Sequence, residues 1–241
     1  MPNNMVKKSY WIVGWLALCG ILIIAVAAWL GPESPDKNAL SDTATTTEEL
    51  PVPLSPEELA AYNVDMTDKD NPIAVITTNK GVIELELFED MMPITAGNFK
   101  KLANEGAYNG TKFHRIIEGF MIQGGDPNTK GDDVMQYGVG GPGYTIPDEF
   151  VKGENLTNVR GTIAMANTGQ PNSGGSQFFI NLVDNTGLDF DKPPAQSSHP
   201  VFGRVVKGME LIDALGKVET GPRDVPLDPV IVEKVEIREA S

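Results

Sequence analysis

From Pro72 onward the chain alternates short strand-like stretches with turns, and this texture constrains its fold more than any other feature. Ile73-Ala74-Val75-Ile76-Thr77-Thr78, a turn at Asn79-Lys80-Gly81 and Val82-Ile83-Glu84-Leu85-Glu86-Leu87 predict a β-hairpin. Pro93–Glu105 predicts a helix: Ile94, Phe99, Leu102 and Ala103 form an apolar face and Gly106 supplies the stop. Gly208–Leu215 predicts a second, with Met209, Ile212 and Leu215 inward and Gly216 ending it. A last strand covers Val230–Ile237. Many short strands and two helices imply a mainly β, antiparallel domain over residues 72–241, either barrel or sandwich.

The preceding segment is of another kind. Tyr10–Leu30 is a 21-residue run without a charge, and about 20 such residues suffice to span a bilayer. Lys7 and Lys8 precede it while Glu33 and Asp36 follow, so the positive-inside rule keeps the N-terminus cytoplasmic and exports the rest. Trp11, Trp15 and Trp29 lie towards its ends, where indole rings favour the interface. The rival is a signal peptide cleaved near Ala25-Val26-Ala27, but the run exceeds the usual apolar region of about 7–15 residues. Residues 1–30 thus read as a membrane anchor holding the folded domain on the extracytoplasmic side, or as a signal whose cleavage secretes it. Residues 31–71, rich in Pro, Thr, Ser and acidic side chains, read as a flexible tether. Ser55, Pro56 and Glu58 offer it one short capped helix. A net charge of −14 argues against a nucleic-acid surface. Cys19 is the only cysteine, and His114 and His199 are far apart, so neither an intrachain disulfide nor a zinc site is expected.

Several local patterns lose to plainer readings. Gly138-Val139-Gly140-Gly141-Pro142-Gly143 matches a dinucleotide fingerprint by letter, but Pro147 opposes the helix that motif needs, so it reads as a loop. Ser173 and Ser176 sit in a Gly-rich loop, with His199 the only plausible base and no Gly-x-Ser-x-Gly. Asn109-Gly110-Thr111 and Asn155-Leu156-Thr157 match glycosylation triplets that arise often by chance, and Asp132-Asp133 reads as a solvated loop.

The informative constellation is Phe113-His114-Arg115-Ile116-Ile117, then Phe120-Met121-Ile122-Gln123-Gly124-Gly125-Asp126, then Ser176-Gln177-Phe178-Phe179-Ile180. Strand alternation predicts Phe113 and Arg115 on one face with His114 on the other, and Gln177 and Phe179 opposite Phe178 and Ile180. Apolar residues at this spacing are ordinary core, but a cation and two amides are interleaved with them. Burying an unpaired Arg is costly, so Arg115 needs a partner or a cleft. An apolar floor with convergent polar groups describes a ligand pocket.

These segments, with Gly161-Thr162-Ile163-Ala164-Met165-Ala166-Asn167, Asn172-Ser173-Gly174-Gly175 and His199-Pro200-Val201-Phe202-Gly203, closely resemble the cyclophilins, collinearly from Pro72 to Ile237. Gly140–Phe150 is similar to the bacterial branch. The resemblance implies an eight-stranded antiparallel closed β-barrel capped by two α-helices, with the site on its outer surface. It implies peptidyl-prolyl cis/trans isomerisation: Arg115 catalytic, Phe120, Met121 and Phe179 gripping proline, with Leu188 and His199 at the edge. Gln123 would hold Arg115, while Ala166, Asn167 and Gln177 position the peptide backbone. No nucleophile, metal or cofactor is required, the partners are proline-containing polypeptides, and the catalytic domain is expected to be monomeric. The alternative is a proline-peptide binding module or holdase with incidental catalysis. One departure stands out: Gly187 occupies a place where many relatives carry an aromatic, which puts tight cyclosporin binding in doubt. The Asn128–Val139 loop and the Asp189–Ser198 stretch also look long for the bacterial branch.

Overall fold

In the computed structural model the described residues are 71–153, 156–192 and 198–239. The apolar run 10–30, the tether through residue 70 with its capping box at Ser55, Asn155 and residues 193–197 lie outside them. Among the described residues no helix is long and apolar enough to cross a membrane.

The predicted hairpin forms as β1 (Ile73–Thr78) and β2 (Gly81–Leu87), paired antiparallel from Ile73 opposite Glu86 to Thr78 opposite Gly81. Alternation buries Ala74 and Ile76 from one arm with Ile83, Leu85 and Leu87 from the other. After α1 (Pro93–Asn104) come β3 (Arg115–Ile117), β4 (Met121–Gly124), β5 (Thr162–Met165), β6 (Phe178–Asn181) and β7 (Val201–Lys207). α2 (Met209–Leu215) and β8 (Val232–Arg238) complete the order.

The eight strands make one antiparallel sheet in the order β3-β4-β6-β5-β7-β2-β1-β8. It is a curled half-barrel, not the closed barrel expected, because the ladder stops at β3 and β8. The seam carries only a bridge between Lys112 and Ile231 and bonds such as Phe113 N–H to the Val230 carbonyl (2.9 Å). One edge, β3, has only three residues to offer the seven of β8, too little backbone for a continuous ladder.

Helix α1 begins at Pro93, whose missing N–H costs nothing at that position. No local side chain caps it. Instead Glu149, buried in the core, accepts the N–H groups of Ile94 (3.1 Å) and Thr95 (2.8 Å). Burial raises the Glu149 pKa and these backbone bonds oppose the shift. Gly106 at φ 69° ends the helix as expected. Ile94, Phe99, Leu102 and Ala103 are buried, with α1 against β7 and β8 and α2 against β2. Ile212 and Leu215 of α2 are likewise buried.

Inside the curl, Ile116, Ile122, Ile180, Ile163 and Gly203 form one cross-strand row. Above it Phe178 packs edge-on to Phe99 (5.4 Å), Tyr108 (5.7 Å) and Phe113 (6.0 Å between centroids). Phe113 is therefore core and does not share the face of Arg115. The regular strand starts only at Arg115, and Phe113 and Ile116, three apart, both point inward. A slip in the alternation at His114-Arg115 turns the guanidinium outward and buries His114 as well.

Candidate active site

The same register that builds the core row builds a functional one beside it. Arg115 lies opposite Gln123, Gln123 opposite Phe179, and Phe179 opposite Ala164. Because neighbouring positions alternate, this row faces away from the core, with Met121 two positions from Gln123 on the same side. Four strands thus align a guanidinium, an amide, an aromatic ring and a methyl group.

Gln123 does not hold Arg115. Its Nε2 donates to Gln177 Oε1 (3.0 Å), and Gln177 Nε2 donates in turn to the Gly140 carbonyl (2.8 Å). This chain of amides ties two strands to the Gly138–Gly143 loop. That segment is a loop as expected, anchored by the buried Asp126 carboxylate, which accepts the N–H groups of Gly138 and Gly140 (3.3 Å for Gly140). Arg115 is oriented from elsewhere: its Nε donates to Asp224 Oδ2 at 3.3 Å. Among the described residues its terminal NH2 groups have no protein partner, and they border a cavity of about 290 Å³ with Gln123, Tyr137 and Asp224. Sequence reasoning missed Asp224 altogether.

The apolar end of the row is fixed by a buried polar network. Asp189 accepts the backbone and side-chain N–H groups of Asn158 (2.7 and 2.9 Å), Lys192 Nζ (2.7 Å) and the Thr157 hydroxyl. Asn158 Nδ2 also donates to the His199 carbonyl (3.0 Å), and Asn181 Nδ2 to Asn158 Oδ1 (3.1 Å). Asn185 Nδ2 reaches Asn181 Oδ1 (2.8 Å) and the Phe120 carbonyl (2.9 Å). These bonds set where Phe120, Leu188 and His199 stand, and His199 N–H closes on the Leu188 carbonyl (3.0 Å).

Phe179, 5% exposed, meets the His199 ring edge-on at 5.3 Å. His199 Nδ1 lies 3.0 Å from the Met165 carbonyl, which can only accept, so the proton sits on Nδ1. Burial lowers the His199 pKa, with that carbonyl opposing it, and the ring presents a neutral face. Met121 is almost wholly buried, whereas Phe120 and Leu188 are half-buried against the core.

Ala166, Asn167 and Gln177 line a further cavity of about 390 Å³ together with Gln123 and Gly140–Pro142. The Asn167 side chain is occupied: Nδ2 donates to the Ser198 carbonyl (2.7 Å) and Oδ1 accepts Gly169 N–H (3.0 Å). Ala166 N–H is taken by the Gln177 carbonyl (3.0 Å). Asn167 Nδ2 and Oδ1 each keep one further hydrogen-bonding position. Ser173 is no nucleophile, since its hydroxyl donates to the Gln170 carbonyl (2.6 Å) and accepts Thr168 N–H, away from His199. Gly187 is exposed, with open space where its Cβ would be.

An outward-facing row on a curled sheet, with cavities at its polar end around Gln123 and Gln177 and an apolar end at Phe179 and His199, places the chain among β-sheet proteins with a surface binding site. Comparison with known proteins narrows that class. The family profile for cyclophilin type peptidyl-prolyl cis-trans isomerases matches residues 73–237. The chain is 39% identical over 183 residues to peptidyl-prolyl cis-trans isomerase A of Dickeya dadantii, covering 74% of this chain and 91% of that one. It is 42% identical over 169 residues to isomerase B of Escherichia coli, covering 67% and 97%. A Cryptosporidium parvum cyclophilin type isomerase, solved in the presence of the dipeptide Ala-Pro, superposes with a TM-score of 0.59 at 31% identity, covering 70% and 99%. The chain belongs to the cyclophilin-type peptidyl-prolyl cis-trans isomerase family, and its activity is the interconversion of cis and trans X–Pro bonds.

Proposed function

We propose that Arg115 is the centre of catalysis and acts by hydrogen bonding that grows as the X–Pro bond twists. Amide resonance makes rotation slow, with a barrier of about 18–20 kcal/mol. In the twisted state the proline nitrogen becomes pyramidal and gains a lone pair, which a guanidinium N–H can meet. The planar ground state offers it less, so the bond stabilises the transition state selectively. With Nε held by Asp224, the terminal NH2 groups remain to donate. Phe120, Met121 and Phe179 grip the proline ring, Leu188 and His199 close its edge, and Ala166, Asn167 and Gln177 position the flanking backbone. Gln123 acts by holding Gln177. The observation that carries this reading is the shared register of Arg115, Gln123 and Phe179 on the face away from the core. Its test is the isomerisation rate of Arg115→Ala by exchange NMR or a protease-coupled assay. A wild-type rate in that variant would sink it, and a loss of peptide affinity without a loss of rate would favour a binding module or holdase.

The clients we propose are exported proteins, on the strength of the uncharged run 10–30 behind Lys7 and Lys8. N-terminal sequencing of the mature membrane-fraction protein separates an anchor from a cleaved signal: an intact N-terminus supports the anchor, and a start after Ala27 removes it.

A further inference from the structure

Beside the Arg115 cavity lies a depression of about 390 Å³ whose walls are mostly apolar, with Phe113, Val134, Met135, Val225, Pro226 and Leu227 prominent among them. The two share His114, Tyr137, Arg223 and Val225, so a chain lying in one is at the mouth of the other. Between them runs a strap: Arg223 donates to the Val134 and Tyr137 carbonyls, each at 2.7 Å. That clamp holds Arg223 and Asp224 in left-handed backbone, at φ 65° and 60°.

At the wall of this depression His114 is 4% exposed, and among the described residues neither ring nitrogen has a hydrogen-bond partner. Burial lowers its pKa, with Asp126 and the Lys112 backbone opposing, which favours the neutral ring with one donor and one acceptor. A buried imidazole whose nitrogens meet no protein partner is costly and asks for one. At the rim, Met135 is 68% and Leu227 60% exposed, large apolar side chains that face solvent.

We propose that this depression is an anchor site for client polypeptides, taking a tyrosine-like side chain that lies on the same chain as the isomerised proline. An aromatic body fills an apolar hole of this size, and a hydroxyl both donates and accepts, so it satisfies His114 in either tautomer. Continuity with the Arg115 cavity makes the client chain the occupant. The inference rests on the reading of Arg115 as the isomerising centre.

The test uses the full-length chain and X–Pro peptides carrying Tyr, Phe or Ala at positions scanned outward from the proline in both directions. In one register the Tyr peptide binds about ten-fold tighter than the Ala peptide, with Phe between them, and the His114 ring resonances shift. Met135→Glu and Leu227→Glu, both at exposed positions, erase the Tyr advantage. If no register separates Tyr from Ala, if the His114 signals stay still, or if the rim variants keep the preference, the inference is wrong. A short X–Pro peptide run alongside keeps the two readings apart. Isomerisation of it without any Tyr preference overturns the anchor alone, whereas an absence of isomerisation overturns the Arg115 reading and the anchor with it.

Discussion

Removing the carboxylate that orients Arg115 separates a positioning role from a structural one. Asp224 sits at φ 60°, so Asp224→Gly is the clean deletion, since glycine keeps left-handed backbone without strain. The pair spans 3.3 Å, with side chains 42% and 45% exposed, and ion pairs so placed are worth about 0.2–1 kcal/mol. Losing that much orientation in the transition state lowers kcat by up to roughly five-fold. KM should hold, because the proline grip is made by other residues. Asp224→Asn retains an acceptor and recovers most of the rate. In an Arg115→Ala background Asp224→Gly has nothing left to orient, so single and double variants should coincide. Raising the salt to about 1 M shortens the Debye length to about 3 Å and should bring the wild-type rate down towards that of Asp224→Gly. The assay is exchange NMR on an X–Pro peptide with thermal melts in parallel. An equal rate loss with Arg115 present or absent, or a loss that merely follows a fall in Tm, would refute the reasoning.

Phe178→Ala empties the centre of an aromatic cluster and should cost about 3–5 kcal/mol in urea unfolding, whereas Phe179→Leu, facing His199, should chiefly raise KM. Gly187→Trp enters open space and should fold normally, with cyclosporin inhibiting the variant more tightly than the wild type in titration. Burial, the leading cause at both, holds His114 and His199 below 6.5. The unfolded chain therefore takes up protons first as pH falls. Their contribution is complete above 6.5 and is lost below it as pH falls towards the depressed folded values. Melts from neutral pH down to about 5 should show Tm falling, and His114→Phe should flatten the fall.

Local periodicity was enough to read the Ile73–Leu87 hairpin, both helices and the opposed faces of Phe178 and Phe179, because each depends on neighbours a few residues apart. Strict alternation failed at Phe113, where a slip just before β3 sends both Phe113 and Ile116 inward. Barrel closure failed because it depends on how much backbone two distant edges share. The candidate residues come from resemblance alone, which carries no information on their wiring. Gln123 lies directly opposite Arg115 yet donates to Gln177, a choice made by side-chain geometry. Asp224, 109 residues from Arg115, arrives in a left-handed turn that its neighbour Arg223 clamps to the Val134 and Tyr137 carbonyls. Nothing in Gly221-Pro222-Arg223-Asp224 marks that turn as a partner of the site. The Glu149 cap on α1, 55 residues from Ile94, was hidden for the same reason.

The central claim is that the Arg115 guanidinium stabilises the twisted bond and not merely the bound peptide. Exchange NMR on one X–Pro peptide, read for both affinity and interconversion rate, tests it directly in Arg115→Ala. The account predicts a rate lower by about a hundred-fold with Tm and peptide affinity nearly those of the wild type. A variant that binds and interconverts the peptide as fast as the wild type would contradict it.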